Sequence, residues 1–501
     1  MPKRTIPTNR PEILLDARLP VPLYKQLYER LRSAILAGQL ECGARLPSTR
    51  QLSSELGVSR TTTVLAYELL SLEGYLESRV GQGTTVTRHL PVTLLLEHAD
   101  RMREQRADAP EVPSLRLASR VRPLQEVLLS LHFEGSGRKA YRGVEPAVDL
   151  FPYEVWARLI ARRARQSLRE FAHYQSPAGY YPLREAIAAH IGITRGVHCT
   201  PEQIILTAGS QGALDLAVRT LLNPGEAAWL ENPGYFGARG ALLSAGAHLV
   251  PVPVDEQGLD VERGQQRCPQ ARLVSITPSH QFPTGVTMSL SRRLALLDWA
   301  RQAGAWILED DYDSEYRWSG RPLEALQGLD HSGRVLYIGT FSKVLFPALR
   351  LGYLVVPTIL LEPLLATRYF IDIHIPMLEQ MALTDFLREG YYARYLRQML
   401  PHYRQRRDLL QNALRAHLGG LLDVHAPEAG MRLVGWLPPE KDDRRAADLA
   451  AGVGIEVAPL SRYSLEPLPR GGLLFGFAYA STNEKEMLLW VKRLAAAISQ
   501  L

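Results

Sequence analysis

Residues 334–343 read RVLYIGTFSK, an apolar run of strand length that breaks at Gly339 and delivers Thr340, Ser342 and Lys343 just past its end. The same grammar repeats outward from it. Upstream come IILT (204–207) before GSQGALDLAVRTLL, RLVSIT (272–277) before SRRLALLDWARQAG, and WILED (306–310); downstream comes LGYLVV (351–356). Short apolar runs alternating with segments of helical period argue for an α/β domain built on a mostly parallel sheet. In such sheets ligands bind beyond the carboxyl ends of the strands, so the residues just after each run carry the chemistry.

Three of those run ends carry four groups that belong together. After IILT, Ala208-Gly209-Ser210-Gln211-Gly212 opens a helix, where free N–H groups and the helix dipole favour a phosphate. After WILE come Asp310, Asp311 and Tyr312, and strand alternation sends Asp310 and Tyr312 to one face and Asp311 to the other. After the opening run, Thr340 supplies a hydroxyl and Lys343 an amine, with Arg350 seven residues on. A Gly-Ser pair before a helix is also a simple capping arrangement, and a lysine on its own is ordinarily a surface residue. The combination points elsewhere. A phosphate seat, a carboxylate for a pyridinium proton, a phenol for a ring hydroxyl and a lysine for an aldehyde are the protein groups that pyridoxal phosphate requires.

The first part of the chain reads differently. LYKQLYERLRSAILAGQL sets Leu23, Leu27, Leu31, Ile35 and Leu36 on one helical stripe that stops at Gly38. Ser48 can cap a second helix ending at Gly57, and Ser59 a third, so the two form a helix-turn-helix across Gly57-Val58. YLESRVGQGTTVT then reads as two strands around Gly81-Gln82-Gly83, a winged hairpin. Ser59, Arg60, Thr61 and Thr62 crowd the first turn of the third helix, as a helix that meets phosphates and base edges in a major groove requires. Residues 1–90 hold 12 Lys and Arg against 8 Asp and Glu, a local basic excess that suits a polyanion. The ordered strings LPSTRQL, LGVSRTT and LEGYL resemble the GntR-type winged helix over about residues 20–87. That resemblance implies DNA contact by Ser48, Arg50, Ser59, Arg60, Thr61 and Thr62, with Gly83 shaping the wing.

With 501 residues the chain is too long for one core. No apolar run approaches the roughly 18 residues of a membrane span, and MPKRTIPTNRPEILL lacks the apolar core of a secretory signal, so a cytoplasmic protein is expected. Cys42, Cys199 and Cys268 are too few and too far apart for a disulfide framework or a Cys-x-x-Cys metal pair, and no metal site is expected. Residues 88–120 mix Pro and charge without lasting period, as a linker does.

The strings ENPGY, TPSHQFPTG, EDDYDSEY and GTFSK, followed by Arg350, resemble the fold type I aminotransferases, and in particular the MocR/GabR-type regulators that join such a domain to a GntR-type winged helix. This resemblance covers nearly the whole chain. It implies a winged helix-turn-helix over 1–87, a linker over 88–120 and an aminotransferase-like domain over 121–501, whose small α/β subdomain begins near residue 376. It also implies Lys343 as the residue that holds pyridoxal phosphate as an aldimine, Asp310 on the pyridine nitrogen, Tyr312 near the phenolic oxygen and Tyr235 stacked on the ring. Ser210, Gln211, Thr340 and Arg350 would surround the phosphate. His280 and Gln281 stand where aminotransferases place the asparagine that reaches the ring oxygen.

Two functions follow from that likeness. One is a transcriptional regulator, a domain-swapped homodimer on double-stranded operator DNA, that senses an amine effector or pyridoxal phosphate itself. The other is a working aminotransferase that keeps a DNA-binding appendage. In LLFGFAYAST, Tyr479 stands where the resemblance leads one to expect the arginine that clamps a substrate carboxylate, and a tyrosine cannot form that bidentate ion pair. Arg432 is either a substitute clamp or a solvent-facing strand residue, and Arg239 and Arg462 are weaker candidates.

Overall fold

The computed structural model describes residues 15–16, 21–36, 39–40, 43–79, 83–87, 117–131, 146–167, 172–318, 324–478 and 483–501. Gly38, the Gly81-Gln82 apex, most of the linker expected at 88–120, and Tyr479 lie outside them. The chain divides into two compact units, Met1–Arg116 and Leu117–Leu501.

In the first unit, helices α1 (Leu23–Leu36), α2 (Thr49–Leu56) and α3 (Arg60–Leu72) precede strands β1 (Leu76–Arg79) and β2 (Gly83–Val86), which pair antiparallel. The stripe of α1 works as its spacing requires: Leu27, Leu31 and Ile35 are buried with Leu52, Ala66, Leu70, Tyr75 and Val86. Serine caps set the entry to both later helices. Ser48 Oγ accepts from the Gln51 amide at 3.2 Å and Ser59 Oγ from the Thr62 amide at 3.1 Å. Gly57 ends α2 at φ 64°, a left-handed cap that turns the chain into α3.

The second unit is a sheet sandwiched by helices, with a smaller sheet after it. Its eight strands are β3 (Ile204–Thr207), β4 (Ala227–Asn232), β5 (His248–Asp255), β6 (Gly258–Leu259), β7 (Leu273–Ile276), β8 (Trp306–Asp311), β9 (Val335–Thr340) and β10 (Gly352–Val355). They lie in the order β3-β10-β9-β8-β7-β4-β5-β6. β9, β8, β7, β4 and β5 run parallel, while β10 is antiparallel to both neighbours and β6 to β5. Both faces are covered, which is why the strands are apolar runs and not alternating ones. Ile307 and Val335 face one helical layer; Leu308, Leu336 and Ile338 face the other.

The smaller sheet is antiparallel: β11 (Asp423–Val424), β12 (Arg432–Trp436), β14 (Gly472–Gly476) and β13 (Ala458–Pro459), in that order. Tyr403, Leu410 and Leu414 of the 28-residue helix Tyr391–Leu418 share its core with Val491 and Leu494 of the helix Glu484–Ile498. Among the described residues, no helix is long and apolar enough to cross a membrane.

A candidate cofactor site at the strand ends

The carboxyl ends of β3, β8 and β9 gather the residues that the sequence singled out. The helix Gly209–Leu221 starts directly after β3, and Gly209 takes φ 75°, where a side chain is strained. A Cβ there would also lie 3.1 Å from the Arg350 guanidinium, so glycine lets that arginine close over the helix start. Arg350 donates to the Ala208 carbonyl at 2.8 Å and itself holds φ 50°, which costs a non-glycine residue about 1 kcal/mol. Thr340, at the end of β9, accepts the Ser342 amide at 3.2 Å, and the buried Ser342 Oγ has no partner. Ser210 sits in the first turn of the helix, and Gln211 beside it donates to the Gly237 carbonyl at 3.0 Å. Free helix-start N–H groups, hydroxyls and a guanidinium make a cradle for a phosphate.

β8 supplies the carboxylates. Asp311 pairs with Arg195 at 2.7 Å and accepts from the Tyr337 hydroxyl at 2.7 Å. Asp310 has no such arrangement: it is 4 % exposed and its Oδ1 has no partner. Burial raises its pKa to about 8, with Asp311, Asp313 and Glu231 adding to the rise and the nearby Lys343 opposing it. An orphaned acceptor at that depth costs about 1–3 kcal/mol until a donor arrives, and a ring N–H is such a donor. Burial and the charge of Asp310 likewise push the Tyr235 phenol up, against the pull of Arg350. Tyr235, Asp310 and Arg350 are therefore near neighbours. The Tyr235 ring also meets Phe282 edge to face at 5.5 Å.

Sequence reasoning missed the pair that organises the other side. His280 is 2 % exposed, and its Nδ1 lies 2.9 Å from Oδ1 of Asp313, itself buried. With Nδ1–H given to Asp313, Nε2 is left without a partner. The Tyr312 hydroxyl donates to the His280 carbonyl at 2.8 Å. Gln281 turns into its own loop, donating to the Pro233 carbonyl at 2.9 Å and accepting from the Thr284 amide at 3.0 Å. Asp313 was legible only as one more acid in EDDYDSEY. Nothing in the sequence tied it to a histidine 33 positions earlier.

Arg432 is not a solvent-facing strand residue. It is 1 % exposed, with its guanidinium carbon 4.5 Å from the Phe282 ring centre and 5.0 Å from that of Tyr312. Its Nε and Nη1 have no partner, and Nη2 has only long contacts, 3.5 Å to His280 Nδ1 and 3.8 Å to Asp313 Oδ2, too long for a charge-assisted hydrogen bond. Burial accordingly lowers its pKa to about 9.

In the first unit, Ser48, Arg50, Ser59, Arg60, Thr61 and Gly83 are exposed, and Thr62 is half-buried. Gly83 holds φ 85°, and a Cβ there would meet the Arg45 guanidinium at 3.0 Å. Arg45, which the sequence reading passed over, thus lies across the start of β2.

These two sets of residues coincide with two known families. Residues 23–86 match the GntR family of bacterial regulatory proteins, and residues 147–488 match aminotransferase class I and II. The probable rhizopine catabolism regulatory protein MocR of Rhizobium meliloti is 40% identical over 98% of this chain and 96% of its own length. The chain belongs to the MocR-type transcriptional regulators. Another relative of this kind, the pyridoxine biosynthesis transcriptional regulator PdxR of Corynebacterium glutamicum, is 32% identical over 96% of both chains. Two solved aminotransferases cover about four fifths of the MocR-type chain or slightly less. Kynurenine aminotransferase of Pyrococcus horikoshii superposes with a TM-score of 0.68 at 27% identity, over 81% of this chain and 99% of its own. LysN, the alpha-aminoadipate aminotransferase of Thermus thermophilus, was solved with N-(5'-phosphopyridoxyl)-L-leucine. It gives 0.66 at 28% over 76% and 95%.

Proposed function

We propose that this regulator binds operator DNA through α3 and the wing, and reads a small amine effector, or pyridoxal phosphate itself, at the strand ends of its aminotransferase-type domain. The cofactor is pyridoxal phosphate. The observation that carries the reading is the orphaned, buried Asp310 carboxyl beside Lys343, opposite a phosphate cradle of Gly209, Ser210, Thr340, Ser342 and Arg350. Lys343 would supply an amine to the cofactor's aldehyde, Asp310 would receive the ring N–H, Tyr235 would cover the ring, and His280 and Tyr312 would border the ring oxygen. When bound, the cofactor supplies an electrophilic carbon that exchanges one amine for another.

Arg432 is the anchor for the effector; Tyr479, which the sequence reading also set at the effector, lies outside the described residues. A buried guanidinium with two unused donors is unstable alone and gains most from a carboxylate. Ser48, Arg50, Ser59, Arg60, Thr61 and Thr62 contact the duplex, and Gly83 positions the wing. The working form is a domain-swapped homodimer in the cytoplasm, in which the effector changes the spacing of two winged helices.

The test compares wild type with Lys343→Ala and Arg60→Ala on the DNA upstream of the chain's own gene. The regulator reading expects Lys343→Ala to bind that DNA and ignore amines, and Arg60→Ala to load cofactor and miss the DNA. Transamination at about 1 s⁻¹ or faster, without sequence-specific DNA binding, would establish the aminotransferase instead.

A further inference from the structure

A cavity of about 590 Å³ opens beside Arg432, and nothing in the proposed cofactor site accounts for it. One wall is the face of β12 that carries Arg432, Val434 and Trp436, alternate residues that share a side of the strand. The facing wall is the loop from Pro283 to Thr287, which follows directly on Phe282. The Arg432 guanidinium lies against the rings of Phe282 and Tyr312, so one side chain borders both the cofactor site and this chamber.

The charges of the chamber are uneven. Asp255 is matched by Arg292 at 2.7 Å, Asp423 by Arg470 at 3.4 Å and His425 at 3.0 Å, and Glu428 by Arg317 at 3.3 Å. Among the described residues, no ion pair reaches Glu256, an exposed acid on the lining. What the chamber leaves open is a buried cation whose Nε and Nη1 have no partner and whose ion pair to Asp313 is long, and an exposed carboxylate, on a lining that also carries Val434 and Trp436. A buried, weakly paired cation is stabilised by a bound anion far more than an exposed one is.

The geometry points to an amino acid with a cationic tail as the effector: its carboxylate on Arg432, its chain along Val434 and Trp436, and its distal ammonium or guanidinium at Glu256. This assignment rests on the amine-sensing reading above and adds the charge pattern that such a site selects.

The test titrates the cofactor-loaded full chain with L-lysine, L-norleucine, L-2-aminoadipate and 1,5-diaminopentane, following the visible absorbance of the cofactor. L-Lysine should half-saturate at a concentration about 10-fold lower than L-norleucine, and L-2-aminoadipate should be weaker than both. 1,5-Diaminopentane, which lacks the carboxylate, should be about 100-fold weaker than L-lysine. Glu256→Gln, on the exposed rim, should erase the preference for L-lysine over L-norleucine while leaving norleucine unchanged. Arg432→Met should weaken all three amino acids and leave the diamine unaffected. Equal response to L-lysine and L-norleucine in the wild type, or a preference that survives Glu256→Gln, overturns the assignment. If the absorbance answers to hydroxylamine and to none of the four probes, the charge assignment fails and the regulator reading stands. If no cofactor absorbance forms at all, that reading fails with it.

Discussion

Replacing Asp310 by asparagine should act in opposite directions on the cofactor-free and cofactor-loaded protein. In the cofactor-free fold the carboxyl is buried, its Oδ1 has no partner, and its pKa rises from 3.8 to about 8. A carboxyl raised in the folded state holds its proton there while the unfolded chain has already lost it. Folding stability from this group is therefore full below about pH 4 and declines as the pH rises toward about 8. A rise of that size corresponds to about 6 kcal/mol at most, at about 1.4 kcal/mol per tenfold, and local relaxation brings the expectation to about 3–6 kcal/mol. An asparagine side chain does not titrate, so cofactor-free Asp310→Asn should match wild type near about pH 4 and exceed it by that amount near about pH 9. Urea unfolding of both proteins across this range measures the difference. Glu231 and Glu309, raised to about 7, and Glu315, raised to about 8, titrate in both proteins and largely cancel. With pyridoxal phosphate bound, the sign reverses: the asparagine cannot hold a ring proton as a carboxylate does, and affinity should fall about 100-fold or more. An asparagine variant no more stable than wild type near about pH 9 would refute the assignment of Asp310 as a buried, unpaired acid.

Other outcomes follow from neighbouring contacts. Gly209→Ala forces a side chain into φ 75° and against Arg350, so unfolding stability should drop by about 1–2 kcal/mol and cofactor affinity with it. Arg195→Leu leaves Asp311 buried without its cation and should cost about 3–5 kcal/mol in denaturant unfolding, even without cofactor. Arg60→Ala should weaken binding to DNA from the upstream region about 10-fold and lower the slope of log affinity against log salt by about 1, as fluorescence anisotropy would read.

What the sequence disclosed and what it withheld divide along physical lines. Period-two alternation separated Asp310 and Tyr312 from Asp311, and Asp311 indeed goes to Arg195 and Tyr337 while Tyr312 goes to His280. The strands β4 and β5 escaped, because Ala227–Asn232 mixes alanine with charge and His248–Asp255 carries Pro251 and Pro253, which argue against a strand. The direction of β10 was also hidden. An apolar run does not encode whether its hydrogen bonds are parallel or antiparallel, and LGYLVV lies antiparallel between β3 and β9. Arg195 ends its helix before Gly196, and no sequence pattern ties its guanidinium to the aspartate it reaches 116 positions later. Arg432 shows the same limit more sharply. Arginine in a five-residue strand has no periodic signal strong enough to choose a face, and only the packing of Phe282 and Tyr312 around it shows that it points inward.

The bond between cofactor and chain is the centre on which the rest depends. Borohydride reduction of the protein incubated with pyridoxal phosphate, followed by proteolysis and mass spectrometry, should find the pyridoxyl group on the peptide that contains Lys343 and lose it in Lys343→Ala. A pyridoxyl group on another lysine, or none on a correctly folded chain, would contradict the account.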